Sequence, residues 1–211
     1  MNKPTAAGQD SLPMLLLLCL AAGYVDVIGY LQQKVFAANM TGNTVLAVMS
    51  LAVRDWAGAI ERASTLLAFF AGATVSALLM RWRRGRSGRL SLWLEVALLA
   101  AACALDPKRP EWLGLVTSAM GIQATVLVRH RQTPVSTVVV TNTIARLAPL
   151  MVGGIAGASA QQRSEAGLLA ASWAAYAAGA LAGALSTPPL GLWVLVPGAA
   201  MVLVAALMPR R

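Results

Sequence analysis

The stretch Gly23–Met49, GYVDVIGYLQQKVFAANMTGNTVLAVM, joins two apolar runs through a polar break at Gln32, Gln33 and Lys34. It carries one acid, Asp26, and a cluster of small hydrogen-bonding residues: Asn39, Thr41, Gly42, Asn43 and Thr44. The surroundings are strongly apolar. Polar groups at membrane depth are costly unless they are paired or used, so any function is sought here first.

Outward from this stretch the chain is hydrocarbon-like. It has 211 residues, 58% of them hydrophobic and only 12% charged, with a mean hydropathy of +0.67. Soluble domains carry about 25% charged residues, so the main solvent is lipid. The length suits one transmembrane domain over residues 1–211. The net charge of +9 comes from basic residues flanking apolar runs, where membrane helices place them. No aromatic-rich basic face accompanies it, so nucleic acid is not expected as a partner. The two cysteines, Cys19 and Cys103, lie singly in apolar runs with no metal-type spacing.

About twenty apolar residues span a bilayer. That length gives an all-α, polytopic transmembrane bundle of about eight segments: 12–31, 35–53, 63–80, 90–105, 112–128, 135–158, 167–185 and 190–208. The fourth and fifth are short, so six or seven crossings also fit. The apolar run after Lys3 continues past any cleavage site and reads as an uncleaved first helix. Trp56, Trp82, Trp93, Trp112 and Trp193 fall near predicted ends, where indole rings favour the headgroup zone. The basic stretch Arg81–Arg89 is expected on the cytoplasmic side. With eight crossings, Lys34 and Arg129–Arg131 share that side and both ends of the bundle face outward. The small-residue spacings Gly153/Gly157 and Ala175/Gly179/Gly183 suit close helix packing, within the chain or, alternatively, at a homodimer seam.

The opening stretch has a counterpart. Set against Gly121, the second copy reads GIQATVLV, a basic turn, then VTNTIARLA. Thr41 meets Thr141, Gly42 meets Asn142 and Asn43 meets Thr143. The segments thus divide into halves 12–105 and 112–208. Internal duplication is a common way to build transporters, with the site where the halves meet. A repeat of four crossings predicts parallel halves; an inverted one needs an odd number. Helix starts offer unpaired N–H groups and a positive dipole end that can take an anion, although Thr and Asn also cap helices for their own sake. Three charges fall inside predicted helices: Asp26, Glu95 and Arg146. Arg146 needs a partner, with Asp26 as first candidate and Glu95 as second. The candidate solute site is therefore Asp26, Asn39, Thr41, Gly42, Asn43, Gln123, Thr141, Asn142, Thr143 and Arg146.

Catalytic signatures are absent from the sequence. There is no HExxH, P-loop, dinucleotide fingerprint or GxSxG, and the single histidine, His130, sits in a basic turn. No metal or cofactor is expected, and an enzyme is disfavoured. The reading is a small permease or channel-like transporter of a small, anionic solute; the alternative is a non-catalytic membrane scaffold.

The motifs AGYVDVIGY, NMTGN, MGIQATVLVR and PVSTVVVTNTIARLA resemble those of the DUF1275 (YoaK-like) family of bacterial membrane proteins, in order and spacing over nearly the whole chain. Asn142 stands where that family often has Gly, and Ala124 where it has Asn. The resemblance implies a multi-pass protein of the bacterial inner membrane and supplies no substrate.

Overall fold

The computed structural model describes residues 11–82, 87–126, 128–130, 133–135, 137, 140–152 and 159–209. Within them lie eight α-helices: α1 Leu12–Gln33, α2 Met40–Ala52, α3 Trp56–Trp82, α4 Ser87–Cys103, α5 Pro110–Thr125, α6 Val140–Val152, α7 Ala160–Leu190 and α8 Val196–Leu207. A short antiparallel hairpin, β1 Val128–His130 and β2 Thr133–Val135, follows α5. The expected all-α membrane bundle is present. Helices α1, α3 and α7 are long and apolar enough to cross a bilayer.

One expected segment is shorter than its apolar run. Helix α2 has 13 residues, about 20 Å at 1.5 Å per residue, against roughly 30 Å of hydrocarbon. Hydrogen bonds show how the helices around it run. Gln33, at the end of α1, donates to the carbonyls of Pro107 (2.6 Å) and Arg109 (3.0 Å), just ahead of α5. Gln123, near the end of α5, donates to Leu18 O near the start of α1 (2.9 Å). Helices α1 and α5 therefore run in opposite directions. On α3 and α5, Ser118 bonds to Ala68 O and Thr125 to Ser76, so those two run in the same direction. Gly179 faces Leu20 and Gly183 faces Tyr24, so α7 runs with α1.

It follows that α1 ends, and α3 begins, at the same membrane face, so the segment carrying α2 enters and leaves on one side. Likewise α5 ends and α7 begins at the opposite face, which makes α6 the re-entrant element of that side. By length and composition α1, α3 and α7 can cross a bilayer, and α4, α5 and α8, with 17, 16 and 12 residues, pack beside them. The first helices of the two halves, α1 and α5, run in opposite senses, where four-crossing halves predict parallel ones. Helix α2 is apolar enough to read as a span by hydropathy, while residues 35–39 ahead of it are held non-helical by Asp26 and Asn43.

The closest packing is reciprocal. A Cβ on Gly23 would lie 2.0 Å from Tyr176 O of α7, and one on Gly179 2.0 Å from Leu20 O of α1. A Cβ on Gly121 would lie 2.1 Å from Phe69 O of α3, and one on Gly72 2.0 Å from Ser118 O of α5. Thus Leu20 and Gly23 stand to α7 as Ser118 and Gly121 stand to α3. Gly179 and Gly183 serve packing within the chain, not a seam between copies; Gly153 and Gly157 lie outside the described residues.

This topology also reassigns the loops. The face where α1 ends receives Lys34, Arg54, Arg62, Lys108 and Arg109 with the acids Asp55, Glu61, Asp106 and Glu111. Among the described residues Arg81, Arg89, Arg129, Arg146 and Arg163 belong to elements of the opposite face. Helix α1 begins and α8 ends there. Lys34, at the end of α1, lies on the other face from Arg81 and Arg89, which corrects the expectation that they share a side. Arg89 reaching Met208 O (3.3 Å) ties the start of α4 to the end of α8 on this face. Single cysteines at Lys34, Asp55 and Asp106 are expected to react with an impermeant maleimide from outside intact cells, whereas one at Arg163 reacts only after lysis. Labelling of positions 34 and 55 from opposite sides would refute the re-entrant α2.

Of the tryptophans expected as interfacial anchors, Trp56, Trp82, Trp93 and Trp193 are exposed. Trp112 instead is 0% exposed and belongs to the core: the start of α5 is covered by neighbouring helices.

Candidate functional site

The opening stretch folds as a helix, a return strand and a half-helix. Ser11 caps α1 through Met14 N, with proline in the first turn. Helix α1 stops where Lys34 takes a left-handed conformation (φ 57°), its N–H bonded to Tyr30 O. The chain then doubles back along α1. Gly29 makes room: a Cβ there would lie 2.9 Å from Val35 O. Tyr30 and Phe36 stack with centroids 4.7 Å apart.

Non-helical backbone inside a bilayer must find partners within the protein, and the polar residues supply them. Asn43, 0% exposed, accepts from Phe36 N–H (2.9 Å) and donates to Phe36 O (2.7 Å). Asn39 caps α2 by accepting from Gly42 N–H (3.1 Å). Asp26 Oδ1 accepts from the N–H groups of Ala38 (2.7 Å) and Asn39 (3.2 Å), and its Oδ2 accepts from the hydroxyl of Tyr176 on α7. Asp26 lies seven residues before the end of α1, about 10 Å along the axis, so the tip of α2 is held well inside the hydrocarbon. The carboxylate sits at the positive end of α2, where a negative group is stabilised.

At the second tip, Gln123 is buried and donates to Thr137 Oγ1 (3.0 Å) as well as to Leu18 O. Thr137 and Thr143 are buried. Thus an α5 side chain holds the entry to α6 much as an α1 side chain holds the entry to α2. The Gln123 carbonyl, Oε1, is buried and has no donor among the described residues.

The ten candidate residues do not converge on one point. Asp26, Asn39, Gly42 and Asn43 gather at the α2 tip. Thr41 is exposed. Gln123 and Thr143 belong to the α6 side, and Gln123 meets α1 eight residues from Asp26, about 12 Å along the helix. The side chains of Thr141 and Asn142 lie outside the described residues. The expected Arg146–Asp26 pair is corrected: Arg146 bonds Glu165 of α7 at 2.6 Å, both about a third exposed. Arg146 lies on α6 and Glu165 five residues into α7, so this pair braces α6 against α7.

Sequence reading missed Tyr176, Thr137 and Glu165. Tyr176 carried a usable signal, as a lone phenol in the small-residue run of α7. Thr137 carried none.

An open vestibule of about 760 Å³ is lined by Gln33, Ile60, Glu61, Thr65, Lys108 and Glu111. It joins the end of α1 to the starts of α3 and α5 and includes none of the ten candidates. Among the described residues no group of three or more His, Cys, Asp or Glu could hold a metal ion.

A bundle of apolar helices, three of them long enough to cross a bilayer, with buried polar side chains between them defines an integral membrane protein. The family model described as "Protein of unknown function (DUF1275)" matches residues 14–208, and the chain belongs to that family. It is similar to the UPF0700 transmembrane protein YoaK of Bacillus subtilis (strain 168), 32% identical over 146 residues. That match covers 64% of this chain and 64% of the relative. No solved structure matches the chain.

Proposed function

We propose that the protein is a non-catalytic transporter of a small polar solute in the bacterial cytoplasmic membrane, with halves 12–105 and 112–208 forming an inverted repeat. The observation that carries the reading is the pair of half-helices, α2 and α6, entering from opposite faces with their N-termini held inside. Discontinuous helices of this kind, in oppositely directed repeats, frame solute sites in secondary transporters. The reciprocal glycine packing of α1 on α7 and α5 on α3 supports the repeat. The basic stretch Arg81–Arg89, expected on the cytoplasmic side, and the Bacillus relative support the location.

The preference for an anion narrows. At the α2 tip the positive end is already answered by Asp26, and the Arg146 charge is answered by Glu165. What remains is the α6 side, where the unpartnered Gln123 carbonyl suits a solute bearing a hydrogen-bond donor. The test is uptake into proteoliposomes across a panel of small anions and neutral polar metabolites. For the solute found, Gln123→Leu is expected to lower uptake at least tenfold, because the buried acceptor and its two anchoring bonds go together. Arg146→Ala is expected to reduce folded yield more than affinity. Unchanged uptake by Gln123→Leu would remove the α6 tip from the site.

A scaffold role is less favoured. The α7 glycine face that a partner helix would use is occupied by α1 within the chain.

A further inference from the structure

Glu95 takes no part in either tip. It sits eight residues into α4, about 12 Å along the helix, and is 0% exposed. Neither carboxyl oxygen has a hydrogen-bond partner among the described residues. The elements packed on α4 are α3, α5 and α8. Their charged side chains are Glu61, Arg62 and Arg81 on α3 and Glu111 on α5, all within two turns of a helix end, and α8 carries none. Arg62 is committed to Ser50 and Gly58 O. On α4 itself, Arg89 points to Met208 and Cys103 closes the helix. No cation among these is paired with Glu95. A carboxylate without a donor at such depth is among the costliest groups a membrane protein can carry, so the carboxylic acid is the form this packing accommodates.

A second observation gives that acid a neighbour line. Thr125, the last residue of α5, bonds through its hydroxyl to Ser76 Oγ at 2.6 Å, and Ser76 bonds to Ser91 Oγ at 2.9 Å. Ser76 and Ser91 are fully buried. Ser91 precedes Glu95 by one helical turn, about 6 Å. The hydroxyls thus lead from the cytoplasmic end of α5 inward to the turn of α4 that carries the acid.

We propose that Glu95 is a proton-binding site within the bilayer, served from the cytoplasmic face through Thr125, Ser76 and Ser91. The step is a protonation alone: a proton from cytoplasmic water adds to the carboxylate to give the acid, and release is the reverse. No oxidant, reductant or further reactant is involved. Release needs hydrogen-bond donors at the carboxylate, which a conformation admitting water between α4 and its neighbours provides. The site stands whether or not the solute site at the α6 tip is correct; where both hold, Glu95 couples transport to protons.

The test uses the full chain in proteoliposomes and dicyclohexylcarbodiimide, which adds to protonated carboxyl groups in apolar surroundings, read by peptide mass spectrometry. Glu95 is expected to be modified, at a rate that falls several-fold as cytoplasmic-side pH is raised. A water-soluble carbodiimide is expected to mark Glu61 and Glu111 and spare Glu95. Glu95→Gln removes the label while keeping a monodisperse elution profile, and Ser91→Ala slows the response of labelling to a pH jump. Absence of label at Glu95, or labelling at a pH-independent rate, overturns the proposal. If Glu95→Gln does not fold, the pH dependence of labelling in the unmodified chain decides alone.

Discussion

Gly23→Leu is expected to abolish the folded protein. The added Cβ alone would lie 2.0 Å from the backbone oxygen of Tyr176, with Ala180 N at 3.1 Å. No rotamer relieves a clash with backbone, so α1 and α7 must part. Their contact also carries the Tyr24–Ser186 bond (2.7 Å) and the Tyr176–Asp26 bond, both lost with separation. Overpacking costs about 1–3 kcal/mol where side chains can adjust, and more here because they cannot. Without a hydrophobic effect between helices in lipid, close approach is the main source of their association. Gly121→Leu, facing Phe69 O at 2.1 Å, is expected to do the same to α5 and α3. Gly114→Ala and Gly167→Ala meet nothing within 4 Å and are expected to be neutral or to stabilise by about 0.5–1 kcal/mol. Thermal melting in detergent, followed by elution profile, separates the groups. A Gly23 variant that melts like a Gly114 variant would show that α1 and α7 do not pack this way.

Asp26→Ala is expected to release the tip of α2. Three donors lose their acceptor: Ala38 N–H, Asn39 N–H and the Tyr176 hydroxyl. Each buried unsatisfied group costs about 1–3 kcal/mol, so the loss is about 3–9 kcal/mol if the tip stays buried, and less if residues 35–39 withdraw to the surface. Asp26→Asn keeps an acceptor and is expected to lose less than Asp26→Ala. Tyr176→Phe removes a single donor and is expected to cost about 1–2 kcal/mol. The double variant Asp26→Ala/Tyr176→Phe is expected to fall short of the summed single losses, because the phenol no longer remains as an orphan. Hydrogen exchange at Ala38 and Asn39 is the direct readout: protection lost in Asp26→Ala and largely kept in Tyr176→Phe. Unchanged protection in Asp26→Ala would mean that the carboxylate does not hold the return strand.

The two variants concern the same stretch at two levels, and the sequence spoke differently to each. Gly179 and Gly183 were legible as packing residues because small-xxx-small spacing is local, whereas Gly23 was not. Their partner helix was not legible, since spacing says nothing of what lies opposite. Asp26, Asn39 and Asn43 stood out because polar residues in an apolar run require a reason. Their reason proved to be backbone: Asp26 and Asn43 satisfy N–H and C=O groups of residues 36–39. Arg146 was paired with Asp26 on sequence grounds because both lie in repeated elements, but in space its neighbour is Glu165, nineteen positions along on the adjacent helix.

Hydropathy alone settled that the chain lives in lipid, that it is helical and that eight apolar segments compose it, because solvent and backbone satisfaction leave a long apolar run no other form. The repeated polar motifs settled where to look. Whether an apolar segment crosses or turns back was decided only in the tertiary structure. The return of residues 35–39 rests on one carboxylate, one carboxamide and a tyrosine 150 residues away, and a hydropathy profile has no term for such a contact. The opposed directions of α1 and α5 and the return of the chain ahead of α2 follow from that bond set and its counterpart at Gln123.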